Sequence, residues 1–214
     1  MFVTFATAVA RCGEPPGTPP LREVSFSVFA VEPGLDAVYI PRPGAEPRPL
    51  EFYPTSRSSP QKYRGRSPLE IFDRASGATI ASIELPREIR SALLIFMPSA
   101  NPRSHDVRVI DDGDARHSVG ETRVINLSGL LLEGAINQEY LQLPNGADRT
   151  IKAGNFVRMK LRTMFRERSF PSYAGEFELE SGGRALVLLL PPYRAGSLEV
   201  QSRVLLDAPL RERR

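Results

Sequence analysis

"SALLIFMP" (91–98) and "RALVLLLP" (184–191) carry the reading of the fold. Each is an unbroken apolar run closed by proline, the pattern of a β-strand covered on both faces rather than one with a wet side. Each leads on to a strand ending in aspartate, "VRVID" (107–111) and "RVLLD" (203–207). Each also lies downstream of a Tyr-x-Gly, Tyr63-Arg64-Gly65 and Tyr173-Ala174-Gly175. The order of features repeats while their spacing does not. Apolar strands resemble one another through composition alone, so a duplicated unit and a chance likeness both stay open.

The flanking sequence extends the β reading. Proline (20) and glycine (16) are scattered among short apolar runs, as expected where many turns separate many short strands. "REVSFSVFAV" (22–31) and "FVRMKLRTMF" (156–165) alternate with period two. "AVYI" (37–40), "LEFY" (50–53), "LEIFD" (69–73) and "ATIASIEL" (78–85) read as further strands. Asp112-Gly113 predicts a hairpin between "DVRVID" and the strand that follows, and Ser181-Gly182-Gly183 predicts another. "PTSRSSPQKYRGRSP" (54–68) reads as a long polar loop. The expected fold is all-β, a two-layer antiparallel β-sandwich of immunoglobulin-like or jelly-roll-like type, with two related halves as an option. Residues 1–20 are expected to be a flexible lead-in or signal-peptide remnant, 21–208 the sandwich domain, and 209–214 a disordered tail.

Composition excludes several classes. Of 28 basic residues only Lys62, Lys152 and Lys160 are lysine, and the net charge of +3 is too small to imply nucleic acid. Cys12 is the one cysteine, so neither an intramolecular disulfide nor a multi-cysteine metal site exists. No run has the length of a membrane-spanning helix. "MFVTFATAVARC" (1–12) ends in the small-x-small pattern of a signal-peptidase site without a basic leader. It points to an extracytoplasmic, periplasmic or secreted protein, with a cytoplasmic location as the alternative.

Motifs for nucleophilic catalysis or phosphate binding are missing: there is no Gly-x-Ser-x-Gly and no Walker or dinucleotide loop. "HDVRVIDDGDARH" (105–117) gathers two imidazoles with several carboxylates. His105, Asp112, Asp114 and His117 are therefore the alternative metal-ligand set, set against an ordinary Asp-Gly turn with solvated strand ends. Glu133, Glu139, Glu176, Glu178 and Glu180 are glycosidase candidates by residue type alone. Asn126-Leu127-Ser128 fits the glycosylation sequon.

The basic residues form better-defined groups. In "VRMKLR" (157–162) the period of two sends Val157, Met159 and Leu161 inward and leaves Arg158, Lys160 and Arg162 in a row outside. That row suits an anionic polymer, unless the acidic strand "EFELE" (176–180) balances it across the sheet. In the 54–68 loop Arg57, Lys62, Arg64 and Arg66 surround Tyr63, an aromatic among cations. Tyr63, Arg64 and Arg66 join the ladder as candidate ligand contacts.

"LLIFMP…VRVIDDGDARHSVGETRVINLSG", with the closing "SRVLLD", resembles a group of small, often exported all-β bacterial proteins of unknown function from verrucomicrobia-like genomes. The resemblance covers about residues 90 to 130 and implies a β-sandwich with no known activity. The expectation is a non-catalytic extracytoplasmic binding or structural module without a cofactor. Its partner would be an anionic polysaccharide or a protein, and not nucleic acid. The alternative is a metal-dependent or carbohydrate-active enzyme using the His105 to His117 segment.

Overall fold

The computed structural model describes residues 21 to 207 apart from 33, 34, 36, 43 to 45, 54, 102 and 153. The expected lead-in at 1–20, with Cys12, and the expected tail at 209–214 lie outside the described residues. Among the described residues there are sixteen strands and no helix. The first eight are β1 (Arg22–Ala30), β2 (Val38–Ile40), β3 (Arg48–Pro49), β4 (Gln61–Gly65), β5 (Leu69–Asp73), β6 (Thr79–Ile83), β7 (Ser91–Pro98) and β8 (His105–Asp111). The second eight are β9 (Glu121–Asn126), β10 (Leu132–Ile136), β11 (Glu139–Leu143), β12 (Asp148–Lys152), β13 (Phe156–Phe165), β14 (Arg168–Glu178), β15 (Arg184–Leu190) and β16 (Gln201–Asp207).

These strands form four four-stranded sheets: β4-β1-β7-β8, β3-β2-β5-β6, β12-β9-β15-β16 and β11-β10-β13-β14. Adding eight to every label of the first pair reproduces the second pair, so the two halves share one topology. The expected single pair of layers is thus replaced by four sheets in two similar halves. The pairing is also not wholly antiparallel, because β1 runs parallel to β7 and β9 runs parallel to β15.

"SALLIFMP" and "RALVLLL" are β7 and β15, corresponding strands in the interior of their sheets. Alternate side chains explain why both faces are apolar. Ala92, Leu94 and Phe96 join one cluster with β2, β5 and β6, while Leu93 and Ile95 point the other way. Likewise Val187 and Leu189 join a cluster with β10, β11 and β13. Leu186, Leu188 and Leu190 meet Leu93, Ile95, Phe29 and Ile110 of the first half in a third cluster. The sheets that contain β7 and β15 therefore face each other across an apolar layer, and each fully buried leucine there contributes about 1.5–3 kcal/mol.

Three local expectations are corrected. Residues 112–120 are not a hairpin loop: β8 and β9 belong to different sheets, and the segment joins the halves. The Ser181-Gly183 turn also joins different sheets, since β14 pairs with β13 and β15 with β9 and β16. "LEFY" is not a strand. Leu50 is nonetheless buried, and its N–H donates to the Val38 carbonyl at 2.8 Å. The matching Tyr-x-Gly motifs fall on β4 and β14, which do not correspond between the halves. What they share is local: an added Cβ at Gly65 or Gly175 would lie 2.3 Å from the hydroxyl oxygen of Tyr63 or Tyr173. In each case the tyrosine ring covers the bare backbone two residues on.

Candidate functional site

The segment read as a loop at 54–68 contains β4, an edge strand pairing with β1. Its alternation leaves Lys62 and Arg64 exposed and turns Tyr63 against the first-half core. The Tyr63 hydroxyl donates to the Arg66 carbonyl at 2.6 Å. The hydroxyl thus ties down residues 63 to 66, the stretch that carries Arg64 and Arg66. Burial, and next the Glu70 carboxylate, raise the Tyr63 pKa above 10.0, so the phenol stays neutral and keeps its donor.

Two arginines distant in sequence complete the group. Arg42 follows β2, and Arg48 on β3 donates from Nη1 to the Lys62 carbonyl at 3.0 Å. Together Arg42, Arg48, Lys62, Arg64 and Arg66 line a groove of about 740 Å³ with Tyr63. Among the described residues lining it the one carboxylate is Glu70, which accepts from the Ser82 hydroxyl at 2.5 Å. Five cations in one concavity focus positive potential far more than the net charge of +3 implies.

The ladder on β13 lies on the outer face of the other half. Val157, Met159 and Leu161 are buried, while Arg158, Lys160 and Arg162 are exposed. Two of the three stand opposite an acidic residue in the ladder. Arg158 pairs with Glu176 at 3.2 Å and lies over the Phe156 ring. Arg162 stands opposite Glu133 in the ladder and donates from Nε to the Ser169 hydroxyl at 2.7 Å. Lys160 sits between Ala135 and Ala174. The groove and the ladder thus occupy different sheets, and the structure does not bring their residues together.

Arg57 departs from the loop cations with which it was grouped. It is 12% exposed and reaches the segment between the halves, where its guanidinium pairs with Asp112 and approaches Asp207 Oδ1 to 3.1 Å. Arg184 closes the group, donating from Nε to Asp207 Oδ2 at 2.8 Å and from Nη1 to the His117 carbonyl at 2.7 Å. Asp112 and Asp207 hold corresponding places beside β7 and β15: the Asp112 N–H donates to the Ser91 carbonyl, and Asp207 stands opposite Arg184. Asp112 is 8% exposed. Two guanidinium groups and two carboxylates therefore offset one another where the chain passes from one half to the other. A neighbouring arginine, Arg123, is held by both oxygens of Asp148, at 2.8 and 2.5 Å.

His117 is fully buried beside this group, with its Nε2 3.3 Å from the Glu121 carbonyl. Burial, then the Arg184 charge, lower its pKa below 6.5, against the opposing pull of Asp112. His105 begins β8 opposite Pro98, whereas Asp111 ends that strand, roughly 20 Å away at ~3.3 Å per residue. His105 is thus separated from Asp112, Asp114 and His117, and no metal-binding group of His, Cys, Asp or Glu occurs among the described residues. Glu133 and Glu176 flank β13 on its outer face and are opposite its arginines. Asn126 is buried, its Nδ2 donating to the Leu130 and Leu143 carbonyls at 2.8 and 2.7 Å, so its sequon has no accessible amide for a glycan.

Neither a protein-family model nor a curated protein matches this chain.

Proposed function

We propose that the protein is a non-catalytic binding module for an anionic polysaccharide, acting outside the cytoplasm. The observation that carries this reading is the convergence of Arg42, Arg48, Lys62, Arg64 and Arg66 on one groove beside Tyr63. A groove of about 740 Å³ is large enough for a short stretch of a sugar chain. Guanidinium groups match the planar carboxylates and sulfates of acidic glycans, and the Tyr63 hydroxyl holds the stretch of backbone that carries Arg64 and Arg66. The β13 ladder is the weaker contact surface, since Arg158 and Arg162 already have polar partners. The resemblance to exported bacterial all-β proteins supports the extracytoplasmic assignment. Each half is read as a two-layer sandwich, supported by the apolar cluster that its two sheets share.

The test is retention on immobilised acidic polysaccharides, with polyuronate and sulfated glycan run in parallel and duplex DNA as competitor. Retention should fall about tenfold or more in Arg64→Ser/Arg66→Ser and by little in Arg158→Ser/Lys160→Ser/Arg162→Ser. Retention unchanged by the first double substitution would sink the groove assignment. Preferential displacement by DNA would replace the polysaccharide with nucleic acid.

A further inference from the structure

β13 and β14 outrun the rest of their sheet. β10 pairs with β13 only from Met159 to Thr163, while the β13–β14 ladder continues to Phe165 opposite Arg168. Arg166 and Glu167 close the hairpin with φ of 48° and 63°. This is a two-residue turn of the primed kind, whose twist matches that of the strands it joins. The two-residue connection makes a tight, narrow tip, and the chain adopts it without glycine.

That tip is both apolar and basic. Met164 and Phe165 are each 49% exposed and Phe170 is 36% exposed. Leu131 lies alongside, 49% exposed, its carbonyl accepting from the Thr163 hydroxyl at 2.7 Å. Arg162, Arg166 and Arg168 rise from the same hairpin against Glu167, and the Arg166 guanidinium lies 5.1 Å from the centre of the Phe165 ring. Three large apolar side chains on a projecting turn cost solvation unless something covers them.

We propose that this hairpin tip docks on an anionic lipid surface. Shape and charge together favour a bilayer. A stable protein interface needs roughly 800 Å² per partner and a broad complementary face, which a two-residue turn does not offer. A lipid surface accepts a narrow wedge: Phe165, Phe170 and Met164 enter the boundary between headgroups and acyl chains, while the arginines stay at headgroup height and meet anionic phosphates. This surface is separate from the groove at Tyr63, and its ligand chemistry is different.

The experiment is vesicle co-sedimentation of the full chain with phosphatidylcholine alone and with phosphatidylcholine carrying phosphatidylglycerol. Binding is expected only to the anionic vesicles and should weaken as salt rises. Phe165→Ser/Phe170→Ser and, independently, Arg166→Glu/Arg168→Glu should each weaken it by about tenfold or more. All four positions are exposed, and an unchanged thermal melt confirms folding of the variants. Arg64→Ser/Arg66→Ser should leave vesicle binding intact. The proposal is overturned by absence of binding to anionic vesicles at low salt, by binding that survives both hairpin variants, or by binding lost through Arg64→Ser/Arg66→Ser. A concentration-dependent dimer abolished by Phe165→Ser/Phe170→Ser would also overturn it, assigning the tip to a second copy.

Discussion

Asp112 neutralises parts of two guanidinium groups while almost wholly removed from water. Removing its charge leaves Arg57 and Arg184 with too little compensation, a situation that costs about 3–5 kcal/mol where a buried pair is broken. Asp112→Asn should therefore lower the urea midpoint by a corresponding amount, and Arg57→Met/Asp112→Leu should recover much of the loss. His117 gives the same region a pH dependence. Its folded pKa lies below the ordinary 6.5, so below about pH 6.5 the unfolded chain takes up the proton that the folded chain resists. Stability should be full above that pH and fall as acid approaches the depressed folded pKa. His117→Gln should flatten the slope below about pH 6.5 in urea titrations, leaving a remainder from His105, whose pKa is lowered chiefly by burial. Gly134 is a backbone case: at φ 149° a Cβ would stand 2.1 Å from the Lys160 carbonyl oxygen. Gly134→Ala should cost about 2 kcal/mol or more in thermal melts, because the neighbouring strand must move. Of these residues, the Asp-rich segment is legible in the sequence, whereas Arg57 reads there as one of the cations around Tyr63. Nothing local marks an arginine whose partners lie 55 residues downstream and beyond.

At the scale of elements, alternation is a dependable guide where the inward positions of a half-wet strand are plainly apolar, as in β13. "VRMKLR" shows why: the register with β14 places Glu176 against Arg158, as opposite charges on one face of a ladder favour. That pair is exposed on both sides, so Arg158→Ser should change stability by no more than about 0.5 kcal/mol, as measured in urea. Turns were less dependable guides. Asp112-Gly113 and Gly182-Gly183 have hairpin chemistry, yet both lead from one sheet to another. Turn residues specify a local bend, whereas the sheet that the next strand joins is set by which apolar face it must cover. β4 was missed because Lys62 and Arg64 give it a polar look. Its paired edge needs only Tyr63 and Gln61 to face inward.

On the scale of the molecule, the apolar layer between β7 and β15 couples the halves. Leu93→Ala or Leu188→Ala empties part of that layer and should cost about 2–5 kcal/mol. Calorimetry should therefore show a single transition that shifts as a whole in either variant; two separate transitions would contradict that coupling. The amino-acid sequence by itself determined the all-β class, the strands covered on both faces and the basic character of residues 62–66. Those properties follow from side-chain period and composition within a few consecutive residues. Only the tertiary structure decided that the echo of "SALLIFMP" in "RALVLLLP" is a correspondence between two halves, and that the matching Tyr-x-Gly motifs are not. It alone joined Arg42 and Arg48 to the groove and withdrew Arg57 from it. Each of these depends on which strands become neighbours, and strand neighbours are chosen by long-range burial of apolar faces, a cost and gain that no short window of sequence contains.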